Sequence, residues 1–231
     1  MFRTSGYWFA ALLVAAVFAF WPRYLSRLGE PIDGYTHIHA AVATLWCLLL
    51  IVQPFLIRAG RRDLHRRLGV LSWVLGPLLV VASLLLTNAR FRVMDPATFA
   101  AEASNMYLPL QATVTFAWAW ALAMAFRRTQ PVHARFMIAT ALVLLDPVGG
   151  RILYYYGPPI ANPIHTQLLT FGLADLILLA LLWRPRMAPH QRRVFAFGAA
   201  VFPLVHLGWF TLAQAPDWRS VAAWFRDLPL T

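Results

Sequence analysis

Long apolar runs alternate with short polar segments along the whole chain, and this alternation predicts its architecture. Seven runs are long and apolar enough to be membrane-spanning helices, since a hydrocarbon core of about 30 Å requires roughly 20 mostly apolar residues. The runs cover approximately residues 6–21, 35–57, 68–87, 106–126, 134–156, 163–183 and 194–212. The sequence therefore predicts one all-α domain, residues 1–231, that forms a polytopic transmembrane helical bundle.

The first run is the weakest of the seven. Arg3 followed by an alanine-rich stretch is also typical of a secretory signal peptide. The run continues to Trp21 and Pro22 without a clear small-residue cleavage site, which favours a retained signal anchor. Cleavage would leave six helices.

Basic residues predict the orientation of the bundle. They cluster in three short loops, residues 58–67, 127–135 and 184–193, and short cytoplasmic loops carry such an excess. The amino terminus is therefore expected inside and the carboxyl terminus outside. The predicted outer loops contain residues 22–34, residues 88–105 and the tight turn Gly157-Pro158-Pro159. Within the second of these loops, residues 96–104 are expected to form a short amphipathic helix on the outer surface.

The composition supports a lipid environment and excludes other classes. The chain is 60% hydrophobic and 13% charged, whereas about 25% is usual for soluble domains. Its net charge of +11 lies in separate loops rather than on one surface, which argues against nucleic acid as a partner. Cys47 is the single cysteine, so no intramolecular disulfide can form.

An inner layer of candidate site residues begins two of the predicted spans. His65 begins the third span and His133 the fifth, and each is followed by an arginine, Arg66 or Arg135, within two positions. The two histidines are candidates for ligating a b-type haem, with the arginines pairing its propionates. The same groups suit a quinone head group or an anionic lipid. Alternatively, these residues have no ligand and belong to the positive-inside pattern, with their imidazoles extending to the membrane interface.

An outer layer of polar residues lies at similar depth on several predicted spans. These residues are the candidates for an outward-facing polar pocket, because ionisable groups inside a membrane are usually functional. They are His39, Asp146, Arg151, His165 and His206. His39 and His206 are the candidate metal ligands, and His39 is also a candidate haem ligand. Pro147 and the following Gly149-Gly150 pair predict a bend in the fifth span beside Asp146.

Asp175 lies near the middle of the sixth span. It is either a neutral carboxyl bonded to a neighbouring helix or a member of a proton relay. Hydrolase, nucleotide-binding and dinucleotide-binding motifs are absent from the sequence. A seven-helix zinc hydrolase would require paired histidines in the last span, which has only His206.

Two segments carry a resemblance to a known family. The stretch 39–70, with Gln53-Pro54, Arg58 and the His65-Arg66-Arg67-Leu68-Gly69 motif, resembles bacterial membrane proteins catalogued as domain of unknown function 2306. The segment His133-Ala134-Arg135-Phe136-Met137, followed by Arg151, resembles that family's later motif. The resemblance implies a multi-pass protein of the bacterial inner membrane and transfers no activity.

A looser similarity is to di-haem transmembrane cytochromes of the b type, which hold each haem between histidines on alternate helices. His65 and His133 match one such pair. His39 would need a partner on the fourth span, which has no histidine and only Met106 near its end. The similarity therefore implies at most one complete ligand pair.

Three function hypotheses follow from these residues. The first is a small membrane redox protein that binds b-type haem or reacts with quinone. The second is a non-enzymatic accessory subunit of a larger membrane complex, or a small-molecule-binding protein that uses the outer pocket. The third is a proton-coupled transporter that uses Asp146 and Asp175.

Overall fold

The computed structural model describes residues 4–158 and 162–231, so Arg3 and Pro159 of the predicted turn lie outside the described residues. The described chain is helical throughout. Its α-helices are α1 Ser5–Phe20, α2 Gly34–Arg58, α3 Arg62–Gly69, α4 Ser72–Arg92, α5 Pro96–Glu102, α6 Tyr107–Ala125, α7 Gln130–Leu142, α8 Leu145–Tyr156, α9 Pro163–Trp183, α10 Pro189–Ala199, α11 Val201–Phe210 and α12 Trp218–Asp227. Short 3₁₀ turns occupy Leu25–Arg27, Ala103–Met106 and Leu212–Gln214.

The helices form the predicted multi-pass membrane bundle. In the described ranges, six helical segments are long and apolar enough to cross a membrane: Gly34–Arg58, Arg62–Arg92, Pro96–Ala125, Gln130–Tyr156, Pro163–Trp183 and Pro189–Gln214. The remaining apolar helix, α1, has 16 residues and packs against α2 and α8. The all-α polytopic class is therefore confirmed, with α1 shorter than a usual span.

Large apolar side chains cover the outside of the bundle. Soluble monomers rarely expose contiguous apolar surface on this scale, whereas lipid is the solvent that such a surface requires. Examples are Leu45, Leu48 and Val52 on α2 and Leu169, Leu173 and Leu176 on α9. The inside is closely packed around fully buried Trp46, Phe136, Phe195 and Phe202.

Two contacts define the ends of the bundle. Arg58 at the end of α2 donates to the Tyr7 hydroxyl at 3.0 Å, near the start of α1. The Tyr156 hydroxyl at the end of α8 donates to the Phe18 carbonyl at 3.3 Å, near the end of α1. The first end, which carries the three arginine-rich loops, is named the basic-loop end, and the second is named the opposite end.

Prolines interrupt two of the spans inside the bundle. α7 ends at Leu142 and α8 begins at Leu145, with Pro147 at the third position of α8. α10 ends at Ala199 and α11 begins at Val201, with Pro203 at the third position of α11. Proline cannot donate to the carbonyl four residues earlier, and its ring crowds that carbonyl. The predicted interruption of the fifth span is confirmed, and the last span repeats it.

The opposite end is covered by two short helices. α5 begins after Asp95. Hydrogen bonds from the Thr98 side chain and, to a smaller degree, from the Thr98 backbone lower the pKa of the Asp95 carboxyl. Phe99 of α5 packs with Phe225 of α12 and Phe91 of α4. The predicted short helix in this loop is therefore confirmed. α12, for which the sequence made no prediction, covers it.

Asn88, buried in α4, holds α12 in place. Its side-chain amide donates to the carbonyls of Phe225 at 2.8 Å, Arg226 at 3.2 Å and Leu228 at 3.2 Å. Its side-chain carbonyl accepts from the Thr231 hydroxyl at 2.8 Å. The carbonyls of Phe225 and Leu228 also accept backbone N–H groups, from Leu228 at 3.4 Å and Leu230 at 2.8 Å, so Asn88 adds to the bonds at the end of α12, where helix carbonyls lack their usual partners.

We expect Asn88→Ala to lower the free energy of unfolding by about 2–3 kcal/mol, because it removes the buried side-chain hydrogen bonds that join α4 to the end of α12. Thermal unfolding in detergent measures the loss. The matched control is Asn105→Ala, which removes an exposed amide bonded to Glu102 and should change stability by less than about 0.5 kcal/mol. Equal effects of the two substitutions would contradict this role for Asn88.

Candidate functional site

An aspartate and a histidine meet inside the bundle. Nδ1 of His206 on α11 lies 3.0 Å from both carboxylate oxygens of Asp175 on α9. The imidazole is 10% exposed and the carboxylate 26% exposed. Asp175 lies eight residues, or about 12 Å, from the end of α9, which is well inside the span. Charged groups at this depth are rare and usually mark a functional site.

Aromatic rings fix the His206 imidazole. The Phe171 ring stacks on it with centroids 4.1 Å apart and an interplanar angle of 6°. The Phe202 ring meets it edge-on at 6.1 Å and 84°. Phe171 lies one turn before Asp175, so α9 presents the stacking ring and the carboxylate on one face. The ring nitrogens therefore have a defined direction: Nδ1 faces Asp175, and Nε2 faces away from it.

A second carboxylate, that of Asp146, lies near His206. Asp146 accepts a hydrogen bond from the Thr170 hydroxyl at 2.7 Å and lies within electrostatic range of His206. Because α8 begins anew at Leu145, Asp146 occupies its first turn, where the helix dipole favours a negative charge. The interruption near Pro147 thus creates a favourable place for the carboxylate.

A small cavity separates the two groups. Its volume is about 10 Å³, the size of one water molecule. Its polar lining consists of Gln111, Thr115, Asp146, Thr170 and His206. The residues beside both helix interruptions, Val143 and Phe202, complete the wall. Asp146 and His206 therefore line one cavity, and His206 also contacts Asp175. We name these three residues and the cavity the central site.

The structure divides the predicted outer layer into separate groups. Asp146 and His206 line one cavity, whereas Nδ1 of His39 lies 3.3 Å from the Ser83 hydroxyl of α4. His165 is exposed in the first turn of α9. A spacing of two on α2 turns His37 the other way, and its Nδ1 lies 3.0 Å from the Tyr24 hydroxyl.

Arg151 does not form an ion pair with Asp146. Its guanidinium donates to the Pro147 carbonyl at 2.9 Å and lies 4.5 Å over the Phe20 ring. A spacing of five turns the two side chains about 140° apart on a helix, and the interruption comes before both residues, so it does not realign them. Arg151 still lies within electrostatic range of Asp146 and His39, between the two groups.

The inner layer lies at the basic-loop end. Nδ1 of His133 lies 2.9 Å from the Ala123 carbonyl, so Nδ1 carries the proton and Nε2 is the free nitrogen. His65 lies against the Gln53 backbone carbonyl and within electrostatic range of His133. Both histidines therefore lie at the basic-loop end, and their role as a ligand pair stays a prediction.

The two inner arginines have other partners. Arg66 is exposed and forms an ion pair with Asp63. Arg135 is fully buried and donates to the carbonyls of Leu181 at 3.0 Å and Pro131 at 2.9 Å. In this arrangement, the guanidinium groups stabilise helix backbone and a loop carboxylate, and their pairing with haem propionates stays a prediction.

Other candidate sites lack a shared set of ligands. Within residues 4–158 and 162–231, no group of three or more His, Cys, Asp or Glu side chains is arranged to hold a metal ion. The candidate metal ligands His39 and His206 have the separate partners described above. Cys47 is buried and unpaired with another cysteine.

Some site residues were not predicted from the sequence. Thr170 and Phe171 complete the central site. The one signal that could have identified Phe171 is its position one helical turn before Asp175. Gln53 was noted only within a motif, but its side chain is buried beside the inner histidines. Comparison with protein-family models, curated proteins and solved structures returned no match.

Proposed function

We propose that this protein transfers protons through the central site, across the cytoplasmic membrane of a bacterium, with its basic-loop end inside. The observation that carries the proposal is the contact of His206 Nδ1 with both Asp175 oxygens, at 3.0 Å each, deep in a multi-pass bundle. Chains of Asp, Glu and His side chains are the usual proton relays of membrane proteins.

The order of the groups supports transfer along the membrane normal. Asp146 lies ten residues, or about 15 Å, from the end of α8 at the opposite end. Asp175 lies about 12 Å from the end of α9 at the basic-loop end. His206 contacts Asp175 at 3.0 Å and lines the same cavity as Asp146. The proposed path therefore links the two carboxylates through the imidazole.

The imidazole can pass a proton without moving. A water in the cavity, hydrogen-bonded to Asp146, donates a proton to Nε2 of His206, and Nδ1 releases its own proton to Asp175. The water regains a proton from Asp146. Imidazole is suited to this step because both of its nitrogens bind protons near neutral pH. The Phe171 ring stacked on the imidazole orients it for this step, and a flip of the imidazole then returns its remaining proton to the Asp175 side for the next transfer.

The size of the cavity favours protons over larger solutes. A volume of about 10 Å³ accommodates a single water and no organic substrate. Discontinuous helices are a feature of membrane carriers, where freed backbone groups face the transported species. The interruptions of α7–α8 and α10–α11 therefore support a small, hydrated species at the central site.

Reconstitution into liposomes tests the proposal. With a pH gradient, a potassium ionophore to balance charge and a pH-sensitive dye inside, vesicles that contain the protein should lose the gradient faster than empty vesicles. Equal rates in the two preparations would contradict the proposal.

A second candidate function is supported by the inner histidines. Nε2 of His133 is oriented as a lone-pair donor by the Ala123 contact, and Nδ1 of His65 is buried without a partner. We infer a redox role in which this pair ligates a b-type haem or contacts a quinone. When bound, a haem would supply one-electron chemistry at this end of the bundle.

An absorption spectrum of the purified protein separates the two redox groups. A Soret band that shifts on reduction, and that is lost in His65→Ala and in His133→Ala, is expected for a haem held by this pair. A protein without visible absorption would exclude haem and leave quinone.

A further inference from the structure

Gln53 presents two buried hydrogen-bonding atoms with nothing to bond. The side chain is 8% exposed, and neither Nε2 nor Oε1 has a partner among the described residues. Buried polar side chains are otherwise almost always hydrogen-bonded in native proteins, so each unpaired one requires an explanation. An amide with both ends free fits a missing ligand that accepts one hydrogen bond and donates another.

The inner histidines extend this unpaired set. Nδ1 of His65 is also buried and without a partner, and His65 lies against the backbone carbonyl of Gln53. Gly69 of α3 lies beside the amide, since a methyl group there would reach ordinary van der Waals contact with Nε2 at 3.9 Å. His133 adds an acceptor nitrogen. The three side chains, Gln53, His65 and His133, are named the inner site.

The surroundings of the inner site are apolar. Trp46, Leu49 and Leu50 of the same helix and Leu68 of α3 form one packed cluster beside it. A ligand must therefore combine a planar or compact polar head with an apolar body, and it must reach the site from lipid. These requirements exclude freely soluble anions.

We propose that the inner site binds the head group of a membrane quinone or quinol. A quinone oxygen accepts a hydrogen bond from the side-chain N–H of Gln53. The quinol hydroxyl donates to Gln53 Oε1 or to His133 Nε2. A site that contains both donors and acceptors can bind both redox forms. This proposal rests on the second candidate function. It selects quinone over haem, because the Gln53 amide is a poor iron ligand but can donate a hydrogen bond to a quinone carbonyl.

An anionic lipid fits the same atoms poorly. A phosphate accepts hydrogen bonds and has none to donate, so it leaves Gln53 Oε1 and His133 Nε2 unsatisfied. The nearest arginine of the motif, Arg66, is exposed and paired with Asp63 rather than directed into the site.

Binding of a short-chain benzoquinone to the purified protein in nanodiscs tests the proposal. Calorimetry gives the affinity, and quenching of tryptophan fluorescence reports contact near Trp46. We expect saturable binding by the wild type and at least a tenfold weaker affinity for Gln53→Leu. Without quinone, Gln53→Leu should unfold at the same temperature as the wild type or higher, because it removes an unpaired buried amide.

Two further variants make the result unambiguous. His65→Leu should also weaken quinone binding at least tenfold, and it replaces Gln53→Leu if that variant does not fold. Gln191→Leu, a partly buried glutamine on α10 at the same end, should bind like the wild type. Unchanged affinity in both inner-site variants, or no binding by the wild type, would overturn the proposal.

The spectrum and the proton assay distinguish the remaining failures. A haem Soret band would overturn the quinone proposal while supporting the second candidate function. Quinone binding is measured without a pH gradient, so a protein that fails to transfer protons can still bind quinone. A protein that fails to bind quinone can likewise still transfer protons.

Discussion

Asp175→Asn should reduce proton transfer in reconstituted vesicles at least tenfold without unfolding the protein. Asparagine has nearly the same shape as aspartate, and its side-chain carbonyl can accept the bond that His206 Nδ1 makes at 3.0 Å. It cannot take up the proton. The substitution therefore preserves the geometry of the central site and removes one step of the relay.

The rate of collapse of the pH gradient measures the effect, and thermal unfolding in detergent checks the fold. Asp217→Asn is the matched control, because Asp217 is exposed outside the spans at the start of α12. The control should transfer protons at the wild-type rate. Wild-type transfer by Asp175→Asn would show that Asp175 is not part of the path.

His206→Leu is expected to lower the free energy of unfolding by about 3 kcal/mol, because it leaves the Asp175 carboxylate without its partner inside the bundle. The exposed quarter of that side chain moderates the loss. Chemical or thermal unfolding in detergent gives the magnitude.

The double variant His206→Leu with Asp175→Leu should be more stable than His206→Leu alone. Removing both partners leaves no buried charge, and the cycle isolates their interaction. Additive losses from the two single variants would show that the contact contributes nothing to the stability of the bundle.

The architecture was predictable because lipid imposes a strong pattern on the chain. Runs of about 20 apolar residues have few alternatives to a spanning helix, and the predicted starts at Tyr35, Pro163 and Val194 fall at or within α2, α9 and α10. The effect of Pro147 was also predictable, because proline removes a specific backbone bond. α12 has only ten residues, which is too few for this pattern to reveal.

The pairing inside the bundle was not predictable to the same degree. Depth counted along each helix grouped His206 with Asp146 and left Asp175 alone, whereas His206 contacts Asp175 directly. The missing information is the relative rotation and offset of α9 and α11. Side-chain packing sets both quantities, and they cannot be read from the spacing of residues along the chain. Arg151 illustrates the same limit, since its partner Phe20 lies on a helix distant in the chain.

The role of Gln53 in the inner site was not predictable from the sequence. His65 and His133 could be grouped by depth, but the unpaired amide of Gln53 becomes visible only when every buried donor and acceptor is matched to a partner. The residue type gave no signal, because glutamine is also common at helix surfaces. Its burial at 8% exposure made it a candidate ligand-binding residue.

The most direct test of the central site is the ¹⁵N NMR spectrum of the His206 imidazole, recorded in lipid for the wild type and two variants. The relay requires Nδ1 to be hydrogen-bonded to Asp175 and Nε2 to take up a proton from the cavity side. Asp175→Asn should therefore shift the Nδ1 resonance, and Asp146→Asn should shift the Nε2 resonance. Resonances that neither substitution shifts would contradict proton transfer through His206.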